Sequence, residues 1–308
     1  MINNLPTGVV VGVDGSAGSD SAVRYGALEA ARLDTDLTLV HVVPDYVPLA
    51  PMPPLVPDDL ADVGRRIVTD ARELTRRYAQ DVRVTTLVRT GSATATLDIL
   101  AQDARLVVLG RNLRSPLHHV FTGAVTSGVA SRAACPVVSI PDGWGPTAAE
   151  GGVIVGFKDS THGSGALEQA FASAGARGGR LTVIHAWELP SVYDDIIVRR
   201  THDEDWNVQA LVSIESRILG LRKAYPDVVV AVRIAHAQPA HALIEATSDA
   251  DLLIIERRGG RLPAGFHLGG TARAVLREAT CPVEILPPHG APVELDRLEL
   301  ESAGVPLK

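Results

Sequence analysis

Short runs of consecutive apolar residues recur along the chain, separated by stretches in which apolar positions return at helical spacing. In the first part these runs read "VVVGVD", "LTLVHVV", "VRVTTLV", "RLVVLG" and "PVVSI", starting at Val9, Leu37, Val82, Arg105 and Pro136. The intervening pattern predicts helices over about Ser19 to Leu33, Asp58 to Gln80, Ala93 to Asp103 and Gly123 to Ala133. The strands are nearly all apolar rather than alternating, as a parallel sheet covered on both faces requires. Five strands alternating with helices predict a doubly wound α/β layer.

The pattern then repeats. "TGVVVGVDGS", ending at Ser16, matches "GGVIVGFKDS", ending at Ser160, and "DLTLVHVV" from Asp36 matches "RLTVIHAW" from Arg180 at the same offset. "ARLVVLG" from Ala104 matches "ADLLIIE" from Ala250, and the two "CPV" segments at Cys135 and Cys281 follow in order. Ordered matches of this kind are an internal duplication. The expected architecture is therefore two five-stranded parallel-sheet domains of Rossmann-like or flavodoxin-like type in tandem, at 1–144 and 152–290. The Gly- and Pro-rich stretch "PDGWGPTAAEGG" marks the boundary, with a linker at 145–151, and 291–308 reads as a tail outside the repeat. The largest departures fall after the second strand of each half, at 44–58 with six prolines and at 188–206, and both are expected to be surface loops or lids over the sheet's carboxyl edge.

Composition narrows the picture. At 308 residues, two domains are the default. The apolar content is 46% with only 4% aromatic, which suits small-residue helices packed on Val-rich strands. A formal net charge of −7 offers no overall attraction to nucleic acid or an anionic membrane. Two cysteines without ligand spacing suggest buried thiols in a reducing cytoplasm, and no export signal or membrane span is read.

Ligands of open α/β sheets bind beyond the carboxyl ends of the strands, where the winding direction changes. In the first half that edge gathers Asp14 and Gly15, Val42, and Gly110 with Arg111. A glycine-bearing loop leading into a helix offers unpaired N–H groups and a positive dipole end, which suits phosphate. Gly110 begins such a loop, and Gly123, Ala124, Val125 and Thr126 open the helix that follows it.

These residues give the chain a resemblance to the universal stress protein family, whose ATP-binding members carry a G-x2-G-x9-G-[S/T] loop and a strand-one Asp. The resemblance runs from about Thr7 to Pro287 as a tandem pair and implies a nucleotide-responsive cytoplasmic protein that binds ATP, with Mg2+ accompanying it. It implies no established catalytic turnover. Carried across, Gly110 and Gly123 keep the outer glycines at the family spacing, while Leu113 stands at the second glycine and Ala124 at the hydroxyl position. Asp14 stands at the nucleotide-contacting Asp, Val42 lies beside the adenine position, and Thr126 offers a hydroxyl two places late. In the second half Gly259 and Gly269 keep the later glycines, Glu256 replaces the first, and Gly270 stands at the hydroxyl position with Thr271 following. Lys158 aligns with Asp14, and Asp159 is displaced by one. A carboxylate at the start of a phosphate loop opposes an anionic ligand, so the second half is the weaker site.

Other features have plain readings. His118, His119 and His267 lie in the two loops without a third ligand at metal spacing, and no metal site is expected. His41 and His185 occupy matching places on the second strand of each half and read as duplicated structural residues. No nucleophile elbow, Walker loop or dinucleotide fingerprint occurs, and no catalytic residue is assigned. An apolar last strand in each half invites pairing, which suggests an intrachain pseudo-dimer and a further homodimer of chains. The alternative is an interaction protein of the same fold in which both pockets are degenerate. Leu113, Ala124, Lys158 and Glu256 favour it, whereas Asp14, Gly110 and Gly123 favour nucleotide binding.

Overall fold

A computed structural model describes residues 7–45, 57–111, 122–146, 151–158, 164–188, 203–257 and 268–288. The chain divides between Pro146 and Thr147 into two compact units. Both are parallel α/β layers, as the apolar strand pattern predicts.

The first unit runs β1 (Val9–Gly12), α1 (Ala17–Arg32), β2 (Leu37–Val43), α2 (Pro57–Tyr78), β3 (Val84–Thr90), α3 (Ala93–Leu100), β4 (Leu106–Gly110), α4 (Thr122–Arg132) and β5 (Val137–Ile140). Its strand order is β3-β2-β1-β4-β5, with every described pair parallel. Gly12 pairs with Val40 on one side and Leu109 on the other, which puts β1 at the centre. β1 and β4, flanked on both sides, are buried along nearly their whole length, whereas outermost β3 has no buried position.

The helices follow the sequence with local shifts. α1 begins two residues earlier than its apolar spacing suggests, because the Ser16 hydroxyl accepts the Ser19 N–H at 3.2 Å and caps it. β3 runs Val84–Thr90 rather than from Val82, since its register is fixed by Leu37 opposite Val84. α1 carries a buried Gly26 on which a Cβ would come within 2.4 Å of Val11, so helix and sheet approach closely through small residues. That contact belongs to a core of Val9, Val11, Leu37, Leu39, Val108 and Ile140 under α1 and α2. Trp144, the last residue of the expected first domain, packs edge-on to Tyr25 at 5.2 Å, and its carbonyl accepts from Arg24 at 3.2 Å.

The second unit repeats the plan with β6 (Val153–Gly156), α5 (Ser164–Gly175), β7 (Arg180–Trp187), α6 (Asp203–Ala224), β8 (Val229–His236), α7 (Pro239–Ala246), a 3-10 turn, β9 (Leu252–Glu256), α8 (Gly270–Glu278) and β10 (Val283–Leu286). The strand order is β10-β9-β6-β7-β8. Its core gathers Phe157, Leu167, Phe171, Ile214, Ile218 and Ile254. The stretch 188–206, read as loop throughout, ends in helix: α6 starts at Asp203. Its acidic opening hid the start, because the apolar spacing begins only at Trp206.

Cys135 and Cys281 are buried thiols that join in no disulfide with each other, as expected for core cysteines. Among the described residues no helix is long and apolar enough to cross a membrane. The phosphate-loop residues 112–121 and 258–267, with Leu113, His118, His119, Gly259 and His267, lie outside the described residues, as do Asp159 and the tail from 289.

Candidate ligand site at the carboxyl edge

In each unit the chain winds outward from the central strand in one direction and then returns to its other side. In the first unit the reversal falls between β1 and β4, and in the second between β6 and β9. A crevice at the carboxyl ends follows from that reversal alone.

In the first unit the turn after β1 places Asp14 at this crevice with an exposed side chain. Its Oδ1 accepts the Ser16 N–H at 2.9 Å, so the carboxylate shapes the entry to α1, while Oδ2 is engaged by no described residue. Gly15 makes the turn with φ +79°, a conformation that favours glycine. Extending the β1 register by two residues sets Asp14 level with Val42 on β2 and Arg111 after β4. Val42 is half-buried beside His41, whose Nδ1 lies 2.8 Å from the Val13 carbonyl oxygen. A carbonyl only accepts, so Nδ1 carries the proton and the ring is fixed to the end of β1.

Gly110 ends β4 in a confined place. A Cβ there would sit 2.2 Å from the Gly18 carbonyl oxygen and 2.8 Å from the Ser19 nitrogen. This glycine is therefore required by the first turn of α1, whatever it does for a ligand. Arg111 is 6% exposed, and its backbone N–H donates to the Ile140 carbonyl at 2.7 Å. In the first turn of α4, Ala124 is exposed, Val125 half-buried and Thr126 buried. Gly123 lies on the helix backbone in that same turn.

The second unit preserves the scaffold and changes the chemistry. Phe157 N–H donates to Ile184 at 2.8 Å, as Val13 does to Val40, and His185 Nδ1 meets the Phe157 carbonyl at 3.1 Å, as His41 meets Val13. Arg257 N–H donates to Leu286 at 3.0 Å, the duplicate of the Arg111 bond. Both histidines thus act as the ties expected of duplicated structural residues.

At the β6/β9 crevice these elements enclose a cavity of about 470 Å³. Ile184, Leu243, Ile255 and Ala272 supply apolar wall, Lys158 and Glu256 the charged rim, and Gly269 and Thr271 bring the α8 N-terminus to it. Gly269 has no side chain with which to cap the first amides of α8. Gly270 is exposed with open space at its Cβ position.

Phe157, His185, Trp187 and Arg257 line this cavity and were not singled out as ligand-site residues from sequence. The duplication carried the signal, since Arg257 aligns with Arg111 and Phe157 with Val13. Trp187 stacks with His236 at 4.0 Å and Trp206 at 5.3 Å, and its indole N–H donates to Asn207 at 3.1 Å. A stack drawn from β7, β8 and α6 had no short-range sequence pattern to announce it.

The structure brings Asp14, Gly15, Val42, Gly110 and Arg111 to one edge of the first unit, and Lys158, Glu256, Gly269 and Thr271 to one cavity of the second. A cavity of this volume with apolar walls suits a base-sized ligand. In the first unit the exposed Asp14 carboxylate can accept hydrogen bonds from hydroxyl or amine groups. In the second unit Glu256 opposes phosphate. Among the described residues no group of three or more His, Cys, Asp or Glu side chains is arranged to hold a metal.

A tandem doubly wound α/β protein with a switch point in each unit is the class that the fold defines. The universal stress protein family model matches residues 7–141 and again 152–287. Universal stress protein Rv2005c of Mycobacterium tuberculosis is 33% identical over 289 residues, covering 90% of this chain and 95% of its own. A universal stress protein of Mycolicibacterium smegmatis is 30% identical, covering 92% and 97%. A solved universal stress protein from Archaeoglobus fulgidus shares the fold, with a TM-score of 0.66 at 17% identity over 92% of this chain and 98% of that one. The chain belongs to the universal stress protein family.

Proposed function

We propose that this chain is a cytoplasmic stress-response regulator that holds an adenine nucleotide, ATP in the first instance, at the carboxyl edge of its first unit. The observation that carries this reading is Asp14: an exposed carboxylate at the β1/β4 crevice, one oxygen spent on the turn into α1 and the other turned to no described residue. Val42 contributes backbone beside the base, Gly110 and Arg111 start the phosphate loop, and Gly123 to Thr126 supply the helix start that receives it. A Mg2+ accompanying the nucleotide would be held by phosphate oxygens and water.

The second unit has the cavity without the same charges. Lys158 replaces Asp14, and Glu256 replaces the glycine, so we assign it a structural or regulatory part. No catalytic residue is proposed. A second reading, an interaction protein with both pockets degenerate, is favoured by Gly110, whose presence packing against Gly18 explains in full. Denaturing freshly purified protein and chromatographing what it releases separates the two. Adenine nucleotide in near-stoichiometric amount supports the first reading, and a nucleotide-free supernatant from protein purified without dialysis supports the second.

A further inference from the structure

The two halves differ in the outer face of their longest helices. α2 and α6 each span 22 residues, 146 positions apart. On α6 a stripe of Val208, Leu211, Val212 and Leu219 follows helical spacing and is exposed, with Val208 at 53%, Val212 at 64% and Leu219 at 56%. At the equivalent places α2 carries Asp62, Arg65, Arg66 and Glu73. The same scaffold thus has a charged, solvated face in one half and in the other a largely apolar one, interrupted by Glu215, whose carboxylate is paired with Arg222 of its own helix. Core packing does not explain the stripe, because the buried side of α6 is formed by Ile214 and Ile218. Trp206 is accounted for separately by its stack on Trp187.

We propose that the α6 face is a self-association surface, taking α6 of a second copy of this chain in antiparallel orientation about a two-fold axis. Charge selects the occupant and its direction. The stripe is bounded at the start of α6 by exposed Asp205 and at its end by Arg222 and Lys223 in the last turn. Antiparallel pairing centred between Val212 and Glu215 sets each Asp205 beside the basic end of the other copy. Parallel pairing would juxtapose like charges. The same centre brings Val208 opposite Leu219 of the second copy and Val212 opposite its Glu215, whose charge Arg222 of the same helix offsets, so that one patch meets itself, as an isologous interface requires. Arg222 is already oriented along the helix by Glu215 at 3.1 Å. An exposed apolar patch bordered by complementary charge is the kind of surface that a partner covers. This inference does not depend on the nucleotide reading.

The test is sedimentation velocity on the full chain across a concentration series reaching the high micromolar range, for wild type, Val212→Asp, Asp205→Lys, Lys223→Asp and the double charge swap, Lys223 being chosen because Arg222 is already paired with Glu215 of its own helix. Circular dichroism verifies that each variant is folded. The wild type is expected to be a reversible dimer. Val212→Asp should raise its dissociation constant by at least about tenfold, a size usual for a residue central to an interface. Each single swap should weaken the dimer, and the double swap, which restores opposite charges across the axis, should recover it. A wild type that remains monomeric throughout overturns the proposal, whether another segment or another protein covers the stripe. So does a dimer indifferent to Val212→Asp.

Discussion

Asp14 carries two tasks that a single substitution confounds. Its Oδ1 holds the turn into α1, and its exposed second oxygen is the proposed ligand contact. Asp14→Ala should therefore lose about 0.5–1.5 kcal/mol of stability with the turn hydrogen bond, along with nucleotide affinity. Asp14→Asn keeps an oxygen acceptor for the Ser16 N–H and removes the charge. Urea denaturation should place Asp14→Asn near wild type and Asp14→Ala below it. Gly110 is the opposite case, a residue whose sequence signal suggested a ligand while its surroundings show close packing. A methyl group at Gly110 meets backbone atoms of Gly18 and Ser19, which cannot swing away as a side-chain tip can. Gly110→Ala should cost at least about 1–3 kcal/mol, measured as a lowered denaturation midpoint with unchanged m-value. A neutral Gly110→Ala would contradict the close approach of α1 to β4.

The elements were legible wherever burial is two-sided. β1, β4, β6 and β9 read directly as apolar runs because both their faces are covered, and the duplicated Val13/His41 and Phe157/His185 ties follow from aligned positions. The start of α6 was not, since acidic residues at a helix N-terminus look like loop when apolar spacing is the only guide. The Trp187 stack was hidden because its three rings come from segments far apart in sequence. Of the candidate site, the edge residues could be placed from strand ends alone. The second unit's cavity could not, because its volume is set by side chains from α7 and α8. Core residues of the helices also give a measurable expectation. Phe171 in α5 is fully buried against Tyr225 and the second unit's aliphatic core. Phe171→Ala should destabilise by about 3–5 kcal/mol in chemical denaturation.

For the molecule as a whole, duplication has kept one scaffold and let the two edges diverge. The backbone ties at Val13 and Phe157, and at Arg111 and Arg257, are the same, while Asp14 has become Lys158 and Gly110 has become Glu256. Gly110 is dictated by packing, and Asp14 is not, since Asn can make the same turn bond to the Ser16 N–H and Ser or Thr a weaker one. The exposed carboxylate is thus the feature on which the proposed ligand edge rests, and under that proposal the same divergence predicts one nucleotide per chain rather than two. The direct test is isothermal titration calorimetry with Mg-ATP on nucleotide-free full-length protein, compared with Asp14→Asn and Lys158→Ala. The account predicts about one site per chain, weakened at least about tenfold, or 1.4 kcal/mol, by Asp14→Asn and untouched by Lys158→Ala. Absence of heat at millimolar ATP, or binding that ignores Asp14→Asn, would contradict it.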